Sequence, residues 1–345
     1  DLIYAAFGGS DVKAFQVDYI TTYNNSRASM RYEVPDANSP QGAYAGGAYF
    51  SRTGRDLSGF NALTFYIKAT QPATIDVIGF GNDFGASAFQ VAMNALPVNT
   101  NWKKVIIPIP DPARLSAERG LFYYSTGPIN EKGYTFWVDD VQFEHVPDLG
   151  PCVGALFNGE DKKVPTTEKG ALLRIEGLQA IASLPNGTTQ TIGASPSYFN
   201  FVSSDSSVAT VSPQGIVEVL DSGNATITAR LGATMARGSL ELSASGAALV
   251  PTTPAPVPTA DKGNVISLYS NAYTNVPVDT WNTRWQYSTT ESSFIKVGND
   301  DVIRYYNLNF VGVEFSSSPI NAPTMPHYHI DIWTPDPTPN PANVK

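Results

Sequence analysis

A single cysteine, Cys152, in 345 residues rules out an internal disulfide, and with it the small secreted scaffolds that replace a core with crosslinks. Lipid modification needs an N-terminal cysteine; a mid-chain one reads as a linker or strand thiol. Charged residues are only 15% of the chain, too few for long solvated helices. No run of about 18 apolar residues occurs, so nothing reads as a membrane-spanning helix. Positive charge is scarce: 22 Lys and Arg stand against 31 Asp and Glu, a net charge of −9. Such a chain repels phosphate backbones, so no nucleic-acid partner is expected. Catalytic spacings are missing too: no Gly-x-Ser-x-Gly, His-Glu-x-x-His, P-loop or zinc spacing is found. Nor is there a Glu-x-Asp-x-x-Glu strand that would set paired carboxylates across a glycosidic bond. No enzyme is expected within these residues.

What the chain has is turns and alternation. It carries 28 glycines and 26 prolines, the composition of many short strands, over a length that suits two or three domains. Asn61–Ala69 alternates, with Leu63, Phe65 and Ile67 on one face and Thr64, Tyr66 and Lys68 on the other. Thr74–Phe80, Trp102–Ile109 and Tyr134–Phe143 read as further strands, and Pro108 argues for an edge or a strand end. A short helix is predicted over Pro112–Arg119. Trp102 and Trp137 are expected in the core. One carboxylate of Asp139-Asp140 is expected to point inward, where it must be paired, hydrogen-bonded or metal-bound.

Two stretches resemble known families. Ser203–Arg230, with its Val-Ala-Thr-Val, Gly215, Gly223 and Ile-Thr-Ala spacing, is similar to the bacterial group 2 immunoglobulin-like repeat, and the likeness extends over roughly residues 165–246. It implies a β-sandwich spacer in a modular, exported bacterial protein. Gly54–Phe65, Asn101–Ile109 and Phe136–Phe143 resemble the jelly-roll carbohydrate-binding modules, galactose-binding-like sandwiches found beside bacterial polysaccharide-degrading enzymes. Related modules hold a structural calcium between their first and last strands, which leaves Asp140 as a candidate oxygen ligand. Residues 265–281 look like such modules as well. Glu314–Trp333 can be laid over Tyr49–Lys68, with Tyr328 and Ile330 in the core and His327, His329, Asp331 and Trp333 on an outward face.

The expected architecture is all-β: a jelly-roll β-sandwich over 1–147, a linker over 148–165 and an immunoglobulin-like β-sandwich over 166–246. A proline-rich linker over 247–262 then leads to a partial jelly-roll-like sandwich over 263–345. About 85 residues are few for a jelly roll, so the last module reads as incomplete, continued beyond Lys345 or cleaved. The opening in apparently folded sequence suggests a removed export signal.

Binding sugar without cleaving it requires aromatic faces, polar groups for hydroxyls and a rigid mount. Candidates are Trp281 and Trp285 in a polar loop, His327, His329 and Asp331 on the last alternating segment, and Tyr44, Tyr49 and Arg52 near a glycine-rich strand. Asn82 and Asp83 join them in a turn. Each has a plainer role open to it, as a core ring or a solvated surface group. The resemblances imply a non-catalytic polysaccharide-binding protein, with a β-glucan as one candidate ligand. It would sit at a bacterial cell surface, facing outward from an outer membrane, or be secreted. It would touch the membrane only through a lipid anchor not seen in the chain, and outer-membrane glycan-uptake proteins are candidate partners. The accessory part of a glycoside hydrolase and a structural adhesin are the alternatives. No cofactor is expected beyond that calcium.

Overall fold

The computed structural model describes residues 2–246, 250–285, 288–306, 308–323 and 325–334. They are nearly all β, as the alternation requires. The first module contains ten strands: β1 (Leu2–Ala6), β2 (Phe15–Asp18), β3 (Ser29–Val34), β4 (Ala45–Arg55), β5 (Ala62–Ala69), β6 (Ala73–Phe80), β7 (Val91–Val98), β8 (Lys103–Pro108), β9 (Glu118–Thr126) and β10 (Tyr134–Glu144). A five-stranded antiparallel sheet in the order β2-β3-β10-β5-β8 faces a second sheet that begins β1-β4-β9-β6-β7.

The period-2 residues of both sheets meet between them. Tyr32, Phe65, Ile67, Ile75, Ile78, Phe80, Ile107, Tyr124 and Phe136 are fully buried there, each worth about 1.5–3 kcal/mol for an aliphatic or phenyl side chain. The buried tyrosines pair their hydroxyls: Tyr32 donates to Tyr49 at 3.0 Å, and the Tyr4 and Tyr124 hydroxyls meet at 3.0 Å. Tyr49, 5% exposed, is therefore a core ring and not a surface contact. Pro108 ends β8, an edge strand, where its missing N–H costs no ladder bond. The helix expected over Pro112–Arg119 is only one tight turn, Pro112–Arg114, capped by the Asp111 carboxylate. Sequence from Glu118 onward is strand instead.

The second unit begins earlier than expected. β11 (Val153–Ala155) and β12 (Asp161–Thr167) lie largely in the predicted linker, followed by β13 (Leu172–Arg174), β14 (Gln179–Ser183), β15 (Thr189–Ala194), β16 (Phe199–Ser203), β17 (Ala209–Val211), β18 (Ile216–Val219), β19 (Gly223–Leu231), β20 (Thr234–Met235) and β21 (Ser239–Ala244). β12 is the edge of the sheet β12-β21-β19-β16. Its charged start, Asp161-Lys-Lys, reads as linker but is how an exposed edge is protected from pairing with other chains; Lys163 there bonds Glu241 at 2.9 Å. Opposite lies β13-β18-β17.

The two units are not separated. β15 pairs with β7 (Gly193 with Ala92, Ala194 with Val91), so β15, β14 and β11 extend the first module's second sheet to eight strands. The buried Tyr198 donates its hydroxyl to the Phe89 carbonyl at 2.9 Å, and Ser195 bonds the Gln90 carbonyl at 3.0 Å. Arg114 donates to Asn200 at 2.6 Å. Cys152 is buried at this junction, its Sγ 3.7 Å from the Ile109 carbonyl, and burial pushes its thiol up to about 12.

Residues 250–260 form no strand or helix. Beyond them the described strands are β22 (Glu291–Val297) and β23 (Asp300–Tyr306), one antiparallel hairpin. Its two-residue turn is Gly298-Asn299, with Gly298 at φ +62°, a conformation glycine adopts without strain. The strand expected near Tyr328 does not form: residues 325–334 are irregular, and Tyr328 and Ile330, expected in a core, are 78% and 59% exposed.

Candidate functional site

The outer face of the five-stranded sheet is built by the same alternation that fills the core. Phe136 and Val138 point inward, so Trp137 points out; Phe65 and Ile67 point inward, so Tyr66 and Lys68 point out. Strand register lines these residues up in rows. Gln16, Arg31, Trp137 and Lys68 are cross-strand neighbours on β2, β3, β10 and β5. The row ends at Trp102, just ahead of β8, with the Lys68 ammonium 5.8 Å from its ring centroid. A second row runs Asp18, Ser29, Asp139, Tyr66 and Lys104. Tyr23 lies on this row, its ring stacked on Tyr66 with centroids 3.5 Å apart at 14°, and edge to face with Trp102 with centroids 6.0 Å apart. Trp137 and Trp102 are two strands apart, about 9–10 Å.

Polar partners fix these rings. Asp18 accepts the Trp137 indole N–H at 2.8 Å with one oxygen, and the Ile20 and Thr21 N–H groups at 2.7 and 3.1 Å with the other. The bond from Ile20, then that from Trp137, hold its carboxyl below the usual range, with Thr21 and Arg31 adding to them against a smaller opposing effect of burial. Arg31 donates to Gln16 at 2.9 Å and pairs with Glu33. Glu144 accepts from Lys104 at 2.7 Å and Thr64 at 2.6 Å, and those bonds lower its pKa. The tryptophans are thus not in the core, as the sequence reading had them. The parity of Tyr134–Val138 carried that signal, and tryptophan's general preference for burial obscured it. Asp18, Tyr23 and Arg31 were missed because no single motif marks them; only strand register brings them beside Trp137.

The predicted candidates fall elsewhere. Tyr44 lies over the other sheet: its ring packs on Gly46, where a Cβ would come within 2.7 Å of it, and its hydroxyl donates to the Gly8 carbonyl at 2.9 Å. Phe7 flanks the same glycine and meets Phe84 at 5.3 Å, which brings the Asn82-Asp83 turn to this side. That turn is engaged with itself. Asn82 accepts the Phe84 N–H, and Asp83 accepts from Gly85 at 2.9 Å and from Ser87 while facing Arg119 at 3.7 Å. Burial works to raise the Asp83 pKa, but these bonds and Arg119 hold it below the usual range. Arg52 is exposed on β4.

In the last segment, Trp281 packs edge-on against Tyr269 at 5.3 Å, and Trp285 is 58% exposed over Gly312. His327, His329 and Asp331 are exposed on irregular chain, not on the expected strand; His329 and Asp331 approach to 3.2 Å. Neither of the paired aspartates faces the core. Asp139 shares the outer face with Trp137. Asp140, the calcium candidate, is exposed at a β-bulge with φ +50°. Among the described residues no three His, Cys, Asp or Glu side chains converge on one point. A groove of about 420 Å³ at the junction of the two units is lined by Gln90, Arg174, Glu176 and Ser195 but by no aromatic ring.

Residues 5–145 match the family model Carbohydrate binding domain 30, and residues 185–237 match the Bacterial Ig-like domain (group 2). Among solved structures, the chain is similar to a family 30 carbohydrate-binding module of a cellulosomal cellulase of Clostridium thermocellum. The two share 20% identity over 42% of this chain and 87% of that one, at TM-score 0.29. It is also similar to a family 11 module of the same organism in complex with a β-1,3-1,4-mixed-linked tetrasaccharide, at 13% identity over 42% and 89% of the two chains and TM-score 0.30. A β-1,2-glucanase from Parabacteroides distasonis shares 9% identity over 72% of this chain and 37% of its own, at TM-score 0.29. No curated protein matches. Neither matched module is a catalytic one. The chain is multimodular, with a carbohydrate-binding sandwich ahead of an immunoglobulin-like one.

Proposed function

We propose that this chain holds polysaccharide without cleaving it, on the open face of the five-stranded sheet, at a bacterial cell surface or after secretion. The observation that carries the reading is the mounted row Arg31, Trp137, Lys68 and Trp102, with Tyr23 stacked on Tyr66 beside it. The C–H face of a pyranose is apolar and its rim is polar. An indole covers the first, and a flanking guanidinium, ammonium or carboxylate bonds the second. Two indoles about two strand spacings apart suit a polymer that crosses the strands and rests two of its sugars on rings.

The indole N–H of Trp137 is already bonded to Asp18, so its ring is held before ligand arrives and little side-chain entropy remains to be lost. The immunoglobulin-like unit would set this face at a fixed distance and angle from whatever follows, as a glycan-capture protein needs. β-Glucans are the first ligands to try. The test is affinity electrophoresis of the intact chain through gels containing a panel of soluble polysaccharides, β-glucans among them. At least one should retard the parent, and Trp137→Ala should abolish the shift while keeping the parental melting curve. A folded Trp137→Ala protein retarded as strongly as the parent would remove this face from consideration.

A further inference from the structure

We infer that Asp139 is the positioning residue of this binding face, and that the segment it pins, residues 19–28, is a wall of the glycan site with Tyr23 as its contact ring. The inference rests on the binding face proposed above.

Asp139 alternates with the buried Val138 and so points to the open side of the sheet, yet it is only 5% exposed. What covers it is the 19–28 segment. One carboxylate oxygen accepts two bonds from that segment, the Tyr23 N–H at 2.7 Å and the Ser26 hydroxyl at 2.7 Å. The other accepts the N–H of Asp140 at 2.8 Å. That last bond uses the bulge: β10 spends three residues from Asp139 to Gln142 against two on β5, with Asp140 in the left-handed region. Bulges re-aim side chains, and here the bulge fixes the carboxylate beneath the segment.

The segment has no ladder of its own. No strand lies between β2 and β3, and Asn24 and Asn25 both sit at positive φ. Side chains tie it down at both ends: Asp18 holds Ile20 and Thr21, Ser29 donates to the Thr21 carbonyl at 2.6 Å, and Asp139 holds Tyr23 and Ser26. The Tyr23 ring is thereby delivered onto Tyr66. The start of the segment carries Tyr19 and Ile20, among the most exposed apolar side chains of the first module, directly after the aspartate that holds Trp137. A carboxylate covered by a segment that carries a stacked ring and two exposed apolar side chains is better explained by ligand contact than by packing alone, since packing would have buried those side chains.

The intact chain and its variants are titrated with soluble mixed-linkage β-1,3-1,4-glucan and the rest of the polysaccharide panel, with a melting curve for each. Tyr23→Ala and Asp139→Ala should each weaken binding roughly ten-fold, as loss of a stacked contact does. If Asp139 acts through Tyr23, the double variant should lose no more than Tyr23→Ala, where independent effects would multiply to about a hundred-fold. Ser26→Ala removes one donor and keeps the carboxylate, so it should give a smaller loss in a protein that folds normally; it stands in if Asp139→Ala does not fold. Multiplying losses, or a lowered melting temperature with unchanged affinity, would reduce Asp139 to a structural group. If Trp137→Ala loses binding while the Tyr23, Ser26 and Asp139 variants keep it, this inference alone falls. If the parent binds nothing in the panel, or Trp137→Ala binds as well as the parent, the binding face falls with it.

Discussion

Tryptophans occur in two settings in this chain, and Trp102 of the first looks like Trp281 of the second in sequence, each an indole beside Asn and Thr with Lys or Arg close by. In the first module, Trp137 sits on a central strand of a five-stranded sheet, backed by the fully buried Phe65, Ile67 and Phe136 and tied to Asp18. In the last segment, Trp281 and Trp285 sit on irregular chain before a lone two-stranded hairpin, and Trp285 leans on a glycine. An exposed ring binds a sugar well only if it need not be ordered first, because each immobilised side chain costs about 0.5–1.5 kcal/mol. A layer of packed residues behind the ring removes that cost. The surroundings of an aromatic residue are therefore a weaker guide than the parity of the strand carrying it.

The widest contrast lies in what backs the rings. Phe136→Ala should destabilise the first module by about 3–5 kcal/mol, the cost of emptying a filled aromatic site, and should abolish glycan binding as the sheet under Trp137 loosens. Ile330→Ala, at a side chain exposed to solvent, should change stability by no more than about 0.5 kcal/mol. Denaturant titration of both variants reads the difference. Comparable losses would mean that the last segment has a core of its own.

The second largest effect concerns the rings themselves. Trp137→Ala should cost about 1–3 kcal/mol of binding energy, roughly ten- to a hundred-fold in affinity, with Trp285→Ala near parental. Isothermal titration against the best polysaccharide of the panel distinguishes them. The reverse ranking would return the site to the loop that the sequence favoured.

How legible this was depends on the range of the information. The all-β class, the place of Pro108 at an edge or a strand end and the outward face of Tyr66 and Lys68 follow from period-2 patterns and turn residues, which are local, and the two matched sandwiches from short stretches that resemble known families. Trp137 was equally legible, since Phe136 and Val138 fix its side, but a general preference for buried tryptophan overrode the pattern. The meeting of Asp18, Tyr23 and Asp139 was not legible, because it depends on β2, β3 and β10 being neighbours across more than a hundred residues. Likewise the 148–165 segment reads as linker because Asp161, Lys162 and Lys163 are hydrophilic, and the edge position of β12 that explains them is a property of the sheet.

The two junctions extend the comparison. β15 is zipped to β7 and Tyr198 reaches Phe89, whereas residues 250–260 contain no strand. Tyr198→Phe leaves the ring in place but removes a buried bond, and should cost about 1 kcal/mol while shifting the melting of the first two units together. Separate transitions for the two units, with only one of them moved, would show that the shared sheet does not couple them.

The smallest effect is a pH dependence, and its absence is the informative result. Asp18 has a carboxyl pKa lowered by Ile20, Trp137, Thr21 and Arg31. A depressed folded-state pKa contributes stability that is fully present above the ordinary carboxylate value and is lost as pH falls through the folded one. The grip on Trp137 should therefore hold through the neutral range and weaken only in acid, below about pH 4. Affinity measured from about pH 5 to about pH 8 at fixed ionic strength, above the range in which Asp18 takes up its proton, should vary by less than about two-fold, a shift of under about 0.5 kcal/mol. Loss of affinity in His327→Ala or His329→Ala, with Asp18→Asn binding as the parent does, would move the site to the last segment. A flat profile that breaks only in acid, with the break lost in Asp18→Asn, would keep it on the sheet that holds Trp137.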